Sequence, residues 1–424
     1  MNRRSSLCMP LLAAAVVFGA VGQVRAQDHL RPIWDQWRGP TRDGLVTGSN
    51  WPTSLAEDTL TPLWQVELDA SYSGPIVSAS AVFVTGTADK TNEIACALDR
   101  KTGKELWRTE WPGAMSVPFF AASNGSWIRA TPAFDGESLF VAGMRDVLVS
   151  LNATTGKEQW RVDFVNEFST PLPAFGFVSS PLVDGDSIYV QAGASLVKLN
   201  KQTGEIIWRA LKEGGGMMES AFSSPVMATL AGKLQLIVQS RQKLVGVDPQ
   251  SGAVLWEREV PNFRGMNILT PVVFGDSVFT SSYQNKSWLF NVSKSDDKFQ
   301  VEEAWNNNAQ GYMSTPVVID GHAYLHLQNQ RFTCIKLTSG VRTWTSKPFG
   351  KYSSLVAQRD LILALDQKGE LLLFKANPKA FELLDQRSVS DQDTWAHVAV
   401  CGNEIFVRGL NALSVFLWNE VEAE

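Results

Sequence analysis

From about residue 60 onward, short apolar runs alternate with clusters of turn-forming residues, and the period is that of strands. The unit beginning at Pro181 shows the pattern well. Pro181 to Val183 opens a first strand, and Asp184-Gly185-Asp186 supplies the positive φ that a tight hairpin needs. Ser187 to Ala192, β-branched and aromatic, reads as a second strand and Leu196 to Leu199 as a third. Lys201 to Gly204 turns the chain again, and Glu205 to Leu211 is an outer strand carrying Trp208. No segment keeps a helical period over three turns.

Two phrases of this unit recur. The first reads Ala97-Leu98-Asp99-Arg100-Lys101-Thr102-Gly103-Lys104-Glu105-Leu106-Trp107. It returns with Gly156 and Trp160, with Gly204 and Trp208, with Gly252 and Trp256, and more weakly with Gly340 and Trp344. One copy keeps Trp305 but has no glycine, and another, Phe374 to Leu384, has neither. The second phrase is a small polar residue, usually Pro, a few apolar residues and a turn such as Asp-Gly. It occurs around Pro75, Pro132, Pro181, Pro225, Pro271, Pro316, Leu355 and Val398, at spacings of 57, 49, 44, 46, 45, 39 and 43 residues.

Eight four-stranded units at this spacing predict an all-β, eight-bladed β-propeller, because one such sheet cannot bury both faces alone and stacks radially on its neighbours. Residues 61–68, with Trp64, read as an outer strand without a blade, while 397–418 supplies three strands without a fourth. Pairing the two closes the ring and removes an open edge. The chain divides into a leader (1–26), a lead-in segment (27–60) and the propeller (61–424). Of the 15 Trp, seven (Trp64, Trp107, Trp160, Trp208, Trp256, Trp305 and Trp344) share the outer-strand position. Their expected task is structural: filling the gap between sheets with the indole N–H on a neighbouring carbonyl. Gly103, Gly156, Gly204, Gly252 and Gly340 serve the tight turn before them.

Arg3 and Arg4, the apolar run Leu7 to Gly22 and Val24-Arg25-Ala26 form a secretory signal cleaved after Ala26. The protein is therefore expected to be periplasmic or secreted, with no transmembrane span in the mature chain. The net charge is −5 and no extended basic run occurs, which argues against nucleic-acid binding. Cys96, Cys334 and Cys401 are widely scattered and form neither a disulfide framework nor a metal cluster. His322 and His326 lack a third ligand nearby, and Gly214-Gly215-Gly216 lacks the Lys-Ser/Thr of a phosphate loop. No metal site, catalytic carboxylate pair or nucleophile motif stands out, and nothing signals oligomerisation, so a monomer is expected.

The Asp/Asn-x-x-Thr-Gly-Lys-x-x-Trp phrase resembles the tryptophan-docking repeat of the pyrroloquinoline quinone (PQQ)-like propellers, across nearly all of residues 60–418. That superfamily includes periplasmic quinoprotein alcohol dehydrogenases and the non-enzymatic outer-membrane assembly propeller BamB. The opening Trp34-Asp35-Gln36-Trp37-Arg38-Gly39-Pro40-Thr41-Arg42-Asp43-Gly44 resembles secreted PQQ-like repeat proteins common in planctomycetes. The dehydrogenases carry adjacent cysteines over the cofactor, and no two Cys are neighbours here. The resemblance therefore implies a BamB-like, non-catalytic scaffold, without cofactor, that binds envelope proteins or polymers. The alternative it leaves is a minimal quinoprotein oxidoreductase holding PQQ and calcium at the channel mouth.

In a propeller, the segments from each outer strand to the next inner strand converge on one face of the central channel. Here they are rich in aromatics, Met and Gly, as a pocket mouth requires. The candidate polar contacts on this face are Arg129, Glu219, Arg264, Asn267 and Lys351, and the candidate stacking surfaces are Trp127, Tyr312 and Trp395.

Overall fold

The computed structural model describes residues 32–213 and 220–419. The leader, the first residues of the lead-in and Glu219 lie outside the described residues. Eight four-stranded antiparallel sheets follow one another, each a meander from an inner to an outer strand. The third is Leu182–Asp184, Ser187–Ala192, Ser195–Asn200 and Ile206–Ala210. The eighth joins Ala399–Cys401, Glu404–Arg408 and Ala412–Trp418 to an outer strand from the other end of the chain, Leu60–Glu67. Leu60 lies opposite Trp418 and Glu67 opposite Ala412, so the ring of an eight-bladed propeller is closed by its own N-terminal strand.

The middle strands are buried on both faces, as in Leu361–Asp366, whereas the outer strands alternate toward solvent. Apolar clusters accordingly sit between blades. One joins Phe140 and Leu148 of the second blade to Ile188, Val190 and Val197 of the third.

The repeated phrase is an inter-blade dock. Asn152 Oδ1 accepts from the amides of Thr154 and Thr155, and Gly156 follows at φ +71°. The Trp107 ring of the preceding blade lies on that glycine, where a Cβ would come within 2.5 Å of it, and its Nε1 donates to Ala153 O at 2.8 Å. The glycine thus serves the preceding blade's tryptophan as well as its own turn. Trp64, Trp160, Trp305 and Trp344 also donate to carbonyls of the following blade. A β-bulge precedes the tryptophan: Lys198 faces Trp208 but Leu199 faces Ile206, leaving Ile207 half exposed and the indole aimed inward.

Two tryptophans depart from this scheme. Trp256 donates to Gln235 of its own blade, because the fifth blade has a long hairpin, Ser287–Ser295 with Lys298–Asn307, in place of the glycine turn. Trp208 packs on Gly252, but its indole nitrogen has no partner. The seventh blade has Leu384 where a tryptophan would stand. There the lead-in fills the gap: Trp51, Leu55 and Leu60 join the core with Trp418, whose Nε1 donates to Ser54 O.

The small polar residue of the second phrase forms a belt around the channel. Gly74 N donates to Thr131 Oγ1, Thr131 N to Ser180 Oγ, Ser180 N to Ser224 Oγ, Ser224 N to Thr270 Oγ1 and Thr270 N to Thr315 Oγ1, at 2.9–3.2 Å. These bonds satisfy inner-strand amides that no strand pairs. Thr270→Val is expected to lower stability by about 1–2 kcal/mol in chemical denaturation, because it orphans the buried Ser224 amide while preserving shape. An unchanged midpoint would show the belt to be dispensable.

The lead-in also plugs the channel. Trp34 bridges Val77 of the first blade and Leu45 bridges Ala357 of the seventh. Between them, Arg38 donates to Pro316 O at 2.6 Å and Arg42 to Pro181 O at 2.7 Å, so two buried guanidinium groups tie opposite sides of the ring. Gly44, at φ +77°, leaves room for the Arg38 guanidinium, which a Cβ would meet at 2.9 Å.

Candidate functional site

Antiparallel meanders put the outer-to-inner connections and the hairpins between second and third strands on one face; the Asp-Gly and Thr-Gly turns emerge on the other. On the first face the connections enclose a cavity of about 420 Å³ over the plug. Each of the eight connections contributes one aromatic ring: Tyr72, Phe120, Phe175, Phe222, Phe263, Tyr312, Tyr352 and Trp395. Trp37 of the lead-in and Tyr283 of a fifth-blade hairpin add two more, and the belt residues Thr131, Ser180, Ser224, Thr270 and Thr315 also line it.

The rings support one another. Trp395 stacks on Tyr352 with centroids 5.5 Å apart, and Tyr72 lies 6.1 Å away on another side. Tyr312 and Tyr283 are 5.4 Å apart, and Phe175 and Phe222 5.5 Å. Arg38 and Arg42 hold Trp37 from below, 5.6 and 5.8 Å from its centroid. Such a wall is pre-ordered by packing and is suited to planar apolar groups.

The charged groups of the described lining are Arg129 and Arg264; it holds no carboxylate. Arg129 is held by the carbonyls of Trp127 and Gly125, and burial pushes its pKa down to about 10. Arg264 is exposed at the mouth, 4.9 Å above the Phe263 ring. His397 faces Trp37 and sits 2.8 Å from its own Val398 O. Burial and the nearby Arg38 push it down to about 3, so it is neutral at neutral pH and too weak a base to take a proton there.

Of the residues singled out in the sequence, Arg129, Arg264, Tyr312 and Trp395 come together in this pocket. Trp127 does not line it; its backbone carbonyl instead holds the Arg129 guanidinium. Asn267 is buried to 1% exposure and donates to Ser240 O and Arg241 O, so it fastens its loop to a hairpin and offers nothing to a ligand. Lys351 is exposed outside the lining. Sequence reasoning missed Trp37, Tyr72, Tyr283 and His397 as pocket residues. For Tyr72 and His397 a signal existed, since both sit beside the Pro75 and Val398 copies of the second phrase.

Among the described residues, the pocket lacks the ligands of a calcium-supported PQQ centre. Calcium needs several oxygen ligands, usually including carboxylates. The described lining has none, and no group of three His, Cys, Asp or Glu among the described residues could hold a metal ion. Cys96, Cys334 and Cys401 are buried and free.

Eight four-stranded blades around a plugged channel, five of their joints docked Trp-on-Gly, define a PQQ-like repeat β-propeller. Residues 90–346 match the model of one family within that class. The chain belongs to this family, described as outer membrane protein assembly factor BamB. Among curated relatives, an outer membrane protein assembly factor BamB from Yersinia pestis is 23% identical over 320 residues, 72% of this chain and 75% of that one. Among solved structures, BamB from Moraxella catarrhalis superposes with a TM-score of 0.63 at 13% identity, covering 86% of this chain and 99% of that one. A quinohemoprotein alcohol dehydrogenase from Comamonas testosteroni gives 0.66 at 12% identity, covering 96% and 83%. At such identities these structures speak to the fold alone. No helix among the described residues is long and apolar enough to cross a membrane.

Proposed function

We propose that this protein is an exported, non-catalytic propeller of the cell envelope that binds a protein segment or an envelope polymer through its loop face, in the manner of an outer-membrane assembly factor. The observation that carries the reading is the ring of eight aromatics, one from each connection, around a pocket with two guanidinium groups and no carboxylate in its described lining. This chemistry recognises and holds; among the described residues it offers no general base working near neutral pH, no activated nucleophile and no calcium cradle. A rigid eight-bladed frame with a plugged channel keeps the loops at fixed spacing, which lowers the ordering entropy lost on binding.

The quinoprotein alternative is tested directly. The mature protein is titrated with PQQ and calcium while absorbance and dye-linked alcohol oxidation are followed. No turnover is expected; saturable binding with turnover would replace the scaffold reading. Affinity capture from envelope extract checks the scaffold itself. Recovery of the same partner by the native chain and its loss with Phe175→Ala plus Arg264→Ala are expected, and equal recovery by both would remove the pocket from the reading.

A further inference from the structure

The pocket and its rim together restrict what can occupy it. Arg129 uses Nε and one Nη on backbone carbonyls, while its other Nη makes no hydrogen bond to the described residues, and no carboxylate of the described residues pairs with Arg129 or Arg264. A guanidinium beside aromatics with no counter-charge among the described residues favours an incoming anion, and a carboxylate can take paired N–H bonds from it. Planar rings around the wall favour an aromatic guest.

The rim then distinguishes a small molecule from a chain. Phe119 is 90% exposed and Phe120 51%, with rings 5.6 Å apart, and Phe263 is 41% exposed beside Arg264. A molecule enclosed in 420 Å³ would leave Phe119 in water. A peptide with one side chain in the pocket would lay its flanking residues over this apolar rim.

We infer that the pocket takes the aromatic side chain of an extended peptide segment from a partner protein, with an adjacent carboxylate of that segment held at the mouth by the guanidinium group of Arg264. This rests on the loop face being a protein-binding face.

The test uses the mature protein and short, fluorescein-labelled Gly/Ser peptides followed by anisotropy. An Asp-Phe centre is compared with Asn-Phe and Asp-Ala centres and with unlabelled N-acetylphenylalanine as competitor. Removing either the charge or the ring is expected to weaken binding at least about tenfold. Arg264→Gln is exposed enough to fold normally, as an unchanged melting temperature would verify. It should shrink the Asp/Asn discrimination while preserving the Phe/Ala discrimination. Phe175→Ala should do the reverse. Equal binding of all three peptides, absence of binding, or full Asp/Asn discrimination in Arg264→Gln would overturn the inference. Tighter binding of N-acetylphenylalanine or of PQQ than of the peptide would overturn it too, assigning the pocket to a small molecule. Should the peptides fail while Phe119 still crosslinks to a protein in cells, this inference falls and the binding-face reading stands.

Discussion

Replacing Trp107 with Ala is expected to lower the stability of the propeller by about 3–5 kcal/mol, the range for truncating a large buried aromatic. Its ring is 9% exposed, lies 6.1 Å from Phe83, covers Gly156 and donates to Ala153 O. Truncation would empty the joint between the first and second blades and leave that carbonyl without its donor. Gly156→Ala approaches the same joint from the other side. Its Cβ would meet Trp107 at 2.5 Å, and φ +71° is unfavourable for alanine, so a loss of about 1–3 kcal/mol is expected. The two changes should be non-additive in a double-mutant cycle, because the tightest contacts of the new Cβ go with the ring and only Thr109 Oγ1, at 2.9 Å, remains close. Additive losses in chemical denaturation would mean that the glycine serves its own turn and not the dock.

Raising the pH from about 5 to about 8 is expected to destabilise the fold by about 2–3 kcal/mol at Glu93 alone. Glu93 is fully buried between the first two blades, accepting from Trp111 Nε1 at 3.1 Å and Met144 N at 2.6 Å. Burial raises its carboxyl to about 7 despite those donors and the more distant Arg161 and Arg145. The unfolded chain releases this proton near the ordinary carboxylate value while the folded chain retains it. The contribution is therefore complete below that value and is lost as the pH climbs through about 7. Asp146, pushed up to about 7 by burial and by Asp163 with only the Gly193 amide facing it, works in the same direction. Glu93→Gln should flatten the stability profile between pH 5 and 8 by the amount assigned to Glu93. A slope identical to the native chain's would exclude this carboxyl as its source.

The blades were legible because their docking chemistry recurs at fixed offsets: the Asp or Asn that caps the turn, the glycine at positive φ and the tryptophan beyond the bulge. Ring closure was legible from an outer strand without a blade and a blade without an outer strand. The aromatic ring of the pocket was only half legible. Tyr72, Phe222, Tyr352 and Trp395 stand two residues before the belt position, but Tyr312, Phe175, Phe263 and Phe120 stand three, five, seven and eleven before it. Loops of different length bring different offsets to one point in space, so no period marks them. Trp37 was hidden because the lead-in repeats nowhere else, and its place depends on Arg38 and Arg42 reaching carbonyls at Pro316 and Pro181. Asn267 looked like a surface contact because sequence does not reveal that its amide turns inward to Ser240 and Arg241. Glu93 stands near a turn at Asp89-Lys90-Thr91, and nothing in the sequence marks it as buried. Only the approach of Trp111 and of the second blade's hairpin buries it.

The central claim is that the loop face meets a partner, and site-specific photo-crosslinking in exporting cells tests it most directly. A photoreactive residue is placed at Phe119 on the loop face and, separately, at the exposed Lys101 in a third-to-fourth-strand turn on the opposite face. The account requires discrete protein adducts from position 119, lost when Phe175→Ala and Arg264→Ala are added, and none from position 101. Adducts from 101 alone, or adducts from 119 that survive both substitutions, would contradict it.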